Sequence, residues 1–178
     1  MKNLLLFLVF ACTFSFSCLG SPVPFSPIVR NYSVLDYNAG NENWAVAQDE
    51  RGVMYFGNNS GLLRYDGSRW KLFPLPTSGI VRAVYVASDR RIYVGSFEEF
   101  GYFEQNDLNL LEYHSLKEQV KGFDFHNDEI WTIVEQGGNI IFQSFGSYFI
   151  YDGKGTKGVR CPELPLNLFR IGDTLYSQ

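Results

Sequence analysis

Apolar and polar residues change places along this chain in short bursts, not in the rhythm of three and four that marks a helix. The clearest stretch opens with WAVAQ (44–48), a polar turn Asp49-Glu50-Arg51-Gly52, and VMYFG (53–57). Asn58-Asn59-Ser60 leads into GLLRY (61–65), and Asp66-Gly67 into SRWKLF (68–73), before Pro74 and Pro76 interrupt the pattern. Asp-Gly is a tight-turn pair because both positions tolerate positive φ. The pattern predicts short strands joined by tight turns, folded into one antiparallel sheet. The nearest candidate for a helix, LNLLEYHSLKEQV (108–120), has only a weak apolar face. An all-β fold is therefore expected.

The exception is the start, MKNLLLFLVFACTFSFSCLG, where Lys2 precedes a charge-free, mainly apolar run from Leu4 to Phe16. Small residues follow at Ser15, Ser17 and Gly20, and Pro22, Pro24 and Pro27 close the segment. A spanning helix needs about 20 apolar residues, so residues 1–20 are expected to be an export signal. Cleavage after Ser17 would instead leave Cys18 first, the arrangement of a lipoprotein, although Ser15 and Phe16 fit a lipidation box poorly. Removing 1–20 also removes Cys12 and Cys18 and leaves Cys161 alone, so no internal disulfide is expected. An exported protein held by its core alone suits a Gram-negative periplasm.

The strand pattern repeats. MYFGNNSGLLRYDG (54–67) aligns without a gap on IIFQSFGSYFIYDG (140–153), and IYVGSFEEFGYF (92–103) matches both as far as Gly95. Past Gly95 the register is uncertain, because Glu98 and Glu99 look like an insertion. Tyr55, Tyr93, Ile141 and Tyr176 mark a period of roughly 40 residues, the length of a propeller blade. A β-propeller fragment of about three and a half four-stranded blades follows. After a lead-in at 21–41, the units run about 42–79, 80–121 and 122–166, with a fourth starting at 167–178. A β-sandwich with coincidental turn spacing is the alternative. WD and kelch repeats fit less well, since the Trp-Asp and paired-glycine marks are missing.

Composition narrows the function. With 16 Phe, 11 Tyr and 3 Trp, the chain has ample surface to bury and is not a disordered tail. A net charge of -4 and the lack of a basic block argue against direct nucleic-acid contact. Only His114 and His126 are available, so a histidine-rich metal or catalytic centre is excluded.

Glu98, Glu99, Phe100 and Tyr102 form the most site-like cluster, since a sugar-binding face needs flat aromatic surface beside hydrogen-bonding carboxylates. The alternative is that Phe100 and Tyr102 pack between blades while the glutamates close a turn. Adjacent strand residues point to opposite faces, so Glu98 and Glu99 make a poor acid–base couple; no enzyme activity, metal or cofactor is expected. His126, Asp128 and Glu129 read as a solvated loop, and Trp44, Trp70 and Trp131 as packing residues.

The runs Gly-Leu-Leu-x-Tyr-Asp-Gly (61–67), Gly-Ser-Phe-Glu-Glu-Phe-Gly-Tyr (95–102) and EIWTIVEQGGNIIFQSF (129–145) resemble the sensor regions of bacterial two-component-type and LuxR-type regulators. Those regions carry regulator-propeller repeats followed by a triple-tyrosine domain. The resemblance covers about residues 27–178 and implies periplasmic sensing, with a carbohydrate as possible ligand. It also implies further blades, a membrane helix, and a helix-turn-helix or histidine-kinase output as partners. Gln178 falls inside what should be the fourth blade, so a truncated gene is expected, oligomeric or aggregation-prone when expressed alone. A non-signalling periplasmic or surface module that binds protein or glycan is the alternative function.

Overall fold

The computed structural model describes residues 27–77, 79–108, 110–163 and 166–178. The expected export signal, with Cys12 and Cys18, lies outside the described residues. Residues 27–31 belong to a separate N-terminal unit and carry no helix or strand, while Tyr32–Gln178 form the folded unit.

That unit opens with a single-turn helix, α1 (Val34–Tyr37), whose cap Ser33 donates to the Asp36 carboxylate from both its backbone N–H (2.6 Å) and its hydroxyl (2.8 Å). The remainder is β structure. Strands β1 (Asn43–Gln48), β2 (Met54–Asn58), β3 (Gly61–Tyr65) and β4 (Trp70–Phe73) form the first sheet. The second contains β5 (Ala83–Val86), β6 (Ile92–Ser96), β7 (Glu99–Gln105) and β8 (Leu111–Ser115). The third contains β9 (Thr132–Gln136), β10 (Asn139–Gln143), β11 (Ser147–Tyr151) and β12 (Thr156–Arg160). A pair, β13 (Leu168–Ile171) and β14 (Thr174–Ser177), makes the fourth. In each sheet the strands follow chain order, all antiparallel, and β1 packs on β5, β5 on β9 and β9 on β13. A row of first strands around an axis, with later strands fanning outward, is the propeller arrangement. The segment 108–120 contributes β8 and one 3₁₀ turn, Lys117–Gln119.

The repeat is legible residue by residue. Met54 pairs with Tyr65, Ile92 with Phe103 and Ile140 with Tyr151, so the second to third strands of all three blades share one register. The insertion expected at Glu98-Glu99 does not exist. Glu98 takes a left-handed conformation (φ 45°), which lets a two-residue turn close between Ser96 and Glu99 without lengthening the loop.

Neighbouring blades are locked by a knob in a notch. Val81 and Ile130, each two residues ahead of a first strand, are fully buried. Their N–H groups donate to Asn58 O (3.1 Å) and Ser96 O (3.0 Å) of the preceding blade. Their side chains and carbonyls occupy the space a Cβ would need at Gly57 and Gly95: such an atom would lie 2.6 Å from Val81 O and 2.4 Å from Ile130 Cγ2. The third blade breaks the rule, because Gln143 stands where the glycine would be and Leu166 remains 60% exposed. The fourth sheet is held instead by hydrogen bonds, from Arg170 to Glu135 O (3.0 Å) and between the Tyr148 and Ser177 hydroxyls (2.9 Å).

Aromatic side chains fill the blade interfaces. Between the second and third blades, Phe100 lies 4.9 Å from Phe142 and 4.7 Å from Phe149, all three fully buried. The far face of the first blade is covered by the lead-in: Tyr32 and Tyr37 pack on Trp70, and Trp70 stacks on Tyr65 at 4.4 Å. Among the described residues, no helix is long and apolar enough to cross a membrane.

The knob is expected to dominate stability. Ile130→Ala should cost about 2–5 kcal/mol and Gly95→Ala about 1–3 kcal/mol through overpacking, both read as lowered urea midpoints. Two neutral substitutions here would remove the locking account.

Candidate functional site

The inner strands present one repeated position at their leading end. Ala45, Ala83 and Thr132 pair with Gly57, Gly95 and Gln143, so the residues just before them, Trp44, Arg82 and Trp131, are equivalents. They come together at one mouth of the propeller. The Arg82 guanidinium sits 3.8 Å from the centre of the Trp44 ring and 5.1 Å from that of Trp131, and the two indoles meet edge to face at 6.2 Å. A cation over an aromatic face is stabilised by about 0.5–2 kcal/mol. Glu129 fixes the guanidinium from the side, accepting from Arg82 Nε at 2.7 Å.

The turns between second and third strands complete the rim. Asn59, Phe97 and Phe145 occupy equivalent places; Asn59 Oδ1 accepts from Trp44 Nε1 at 2.7 Å, and Phe145 packs on Trp131 at 5.8 Å. Trp44, Phe97 and Phe145 are 43%, 52% and 47% exposed, a concentration of aromatic surface that ordinary folding would bury. Two N–H groups within this cluster, Arg82 Nη1 and Trp131 Nε1, are buried without an acceptor among the described residues. Such groups cost about 1–3 kcal/mol each when left unpaired. The mouth thus offers flat aromatic faces, a clamped guanidinium and two buried N–H groups.

The four residues singled out from sequence separate. Glu98 lies in the turn beside Phe97; its N–H donates to Asp128 O (2.9 Å) and its carboxylate accepts from Asn127 N (3.0 Å). Glu99 is buried and accepts from the Tyr113 and Ser115 hydroxyls, both at 2.7 Å. Burial and the Glu99 charge together push the Tyr113 hydroxyl far above its ordinary pKa. Phe100 is enclosed between blades, and Tyr102 stacks on His114 at 5.1 Å with Arg91 4.4 Å from its ring centre. Only Glu98 neighbours the rim; the other three take part in packing.

His126 is exposed as a solvated loop residue would be, but Asp128 and Glu129 are not. Asp128 is 2% exposed and accepts from the Ser144 and Ser147 hydroxyls (2.7 Å each), the His126 N–H (3.0 Å) and Arg160 (3.3 Å). Burial opposes its ionisation, but these hydrogen bonds and the Arg160 charge outweigh it and lower its pKa. The cluster ties the entry of the third blade to that blade's own turn. Among the described residues, no group of His, Cys, Asp and Glu could hold a metal ion.

Trp70 packs as expected. Trp44 and Trp131, expected to be packing residues, form the mouth, and Arg82 joins them although nothing in its local sequence marks it. The available signal was the repeat, since all three precede aligned strands, but one arginine between two tryptophans hides the equivalence.

No protein-family profile and no curated protein matches the chain. Solved propellers do. A catalytically inactive virginiamycin B lyase from Staphylococcus aureus, crystallised with quinupristin, aligns with a TM-score of 0.63 at 11% identity, covering 83% of this chain and 52% of the lyase. The extracellular domain of a putative hybrid two-component system from B. thetaiotaomicron aligns with a TM-score of 0.60 at 14% identity, covering 83% of this chain and 20% of that one. A second such domain from the same organism gives 0.59 at 17% identity, with 79% and 19% covered. The chain therefore spans about half of the lyase and about a fifth of the sensor domains. At these identities the likeness establishes the β-propeller fold. It also corrects the expectation that the chain is not an enzyme: the same architecture carries catalysis in the lyases, so the fold gives no ground for that exclusion.

Because the folded pKa of Asp128 is depressed, its contribution to stability is complete above the ordinary carboxylate value of 3.8 and is lost as pH falls through the lower folded value. Asp128→Asn should lower stability by roughly 1–3 kcal/mol at neutral pH and shrink the stability lost between pH 5 and pH 2, roughly the window of carboxylate titration. Urea midpoints measured across that range check both; parallel curves for variant and parent would count against the brace.

Proposed function

We propose that the chain is the ligand-recognising propeller of a membrane-linked bacterial regulator, facing the periplasm and responding to a carbohydrate. The observation that carries this reading is the exposed aromatic rim of Trp44, Phe97 and Phe145 around Arg82. Sugar rings stack their C–H faces on flat aromatic surfaces while their hydroxyls take hydrogen bonds from fixed donors. Trp44 is half-exposed, and its turning aside would open Arg82 Nη1 and Trp131 Nε1 to ligand oxygens. Glu98 extends the polar side of the rim, with Glu99 and Phe100 supporting it from within the blade, while Tyr102 lies farther down β7 beside Arg91.

The signalling half of the proposal draws on the sequence resemblance and on the likeness to extracellular domains of two-component systems. The mouth is built from the leading ends of three blades, so a bound ligand would bias their relative angle. Further blades, a triple-tyrosine domain and a membrane helix would pass that bias to a helix-turn-helix or kinase output.

Calorimetric titration of the chain with a panel of neutral and acidic oligosaccharides tests the reading. Binding should be saturable, and Trp44→Ala should weaken it roughly tenfold, the loss of one stacking contact, with little change in melting temperature. Silence across the panel from a folded sample would remove the carbohydrate.

A further inference from the structure

At the other end of the inner strands, the β1–β2 and β5–β6 turns border a cleft of about 870 Å³ between the first two blades. That lies within the size range of small-molecule sites. Its charged lining is mostly self-paired. Arg51 meets Asp49 at 3.1 Å, Arg91 meets Glu104 at 2.9 Å, Asp89 accepts from the Tyr93 hydroxyl at 2.8 Å, and Glu135 accepts from Ser88 N at 3.0 Å. Glu50 and Arg90 stand apart: both line the cleft, both are exposed, and neither side chain makes a hydrogen bond or ion pair among the described residues.

Arg90 is also in an unusual conformation. The two turns are built alike, closed by Asp49 N to Val53 O (3.0 Å) and Gly52 N to Asp49 O (3.0 Å) in one, and by Ala87 N to Arg91 O (3.1 Å) and Arg90 N to Ala87 O (3.0 Å) in the other. Gly52 has φ 83° and Arg90 has φ 69°. Left-handed backbone is disfavoured for a residue with a Cβ. The turn itself needs nothing from the arginine side chain, since glycine serves in the equivalent place. An outlier of this kind at the wall of a cleft points to use of the side chain.

We propose that this cleft binds a small zwitterion, a free amino acid or short peptide, with Arg90 on its carboxylate and Glu50 on its ammonium group. The acids lining the cleft (Asp49, Glu50, Asp89, Glu104, Glu135) outnumber the arginines (Arg51, Arg90, Arg91), which disfavours a simple anion. Stacking of a sugar is disfavoured too, because Tyr55 is buried and the Tyr85 hydroxyl is directed at Glu135 (3.5 Å). A dipolar ligand satisfies both free charges at once, and Val86, Ile92 and Leu111 supply apolar wall for its side chain.

The test is calorimetric titration of the full chain with leucylglycine, and with its N-acetylated, C-amidated form as control. The free dipeptide should bind and the blocked form should not. Arg90→Gly keeps the left-handed turn, so its melting temperature should hold or rise, yet it should weaken binding roughly tenfold or more, as loss of a charged hydrogen bond does. Glu50→Gln should weaken it similarly, and Trp44→Ala at the opposite mouth should leave it unchanged. Absence of saturable heat from the folded chain, equal affinity in Arg90→Gly, or equal affinity for the blocked form would each overturn the proposal. So would a loss in Trp44→Ala as large as that in Arg90→Gly.

Discussion

Everything in this structure rests on how closely one blade approaches the next. A four-stranded sheet buries its two faces only against neighbours, so spacing between blades decides whether the aromatic interiors meet. Here the spacing is set where Val81 and Ile130 enter the notches left by Gly57 and Gly95. The backbone bonds to Asn58 O and Ser96 O fix the depth of entry. With the depth fixed, Phe100 reaches Phe142 and Phe149, and the inner strands line up around the axis. Without it, the same aromatics would be exposed surface.

The same alignment creates the mouth. Arg82 follows the knob Val81 directly, and Trp131 follows the knob Ile130. Each knob therefore delivers the residue after it to the axis, where Trp44 completes the set. Packing and the proposed recognition site occupy consecutive positions of one segment. The third blade shows the contrast: Gln143 fills the notch, Leu166 stays outside, and the fourth sheet is docked through polar bonds. That interface therefore has no buried knob to hold its blade angle.

Sequence alone carried the fold a long way, because strand periodicity and the Asp-Gly turns are local signals. The gapless match of 54–67 on 140–153 correctly paired Phe56 with Phe142 and Tyr65 with Tyr151. Glu98 misled, since a left-handed glutamate is indistinguishable in sequence from an inserted residue. Asp128 misled for another reason: its partners Ser144, Ser147 and Arg160 are distant in the chain, and a turn-like HND triplet gives no hint of them. Tryptophans at strand entrances read as packing because most are. That Trp44 and Trp131 clasp an arginine follows only from the way the first strands of three blades pack side by side.

Ligand is proposed to meet the protein at Trp44, Arg82 and Trp131. The chain has 3 Trp, so its indole N–H groups give three NMR signals that report separately on the mouth and on the distant Trp70 cluster. Titration with a binding oligosaccharide should shift the Trp44 and Trp131 indole signals together and leave Trp70 still. Movement of Trp70 alone, or saturation of binding with all three signals unmoved, would contradict it.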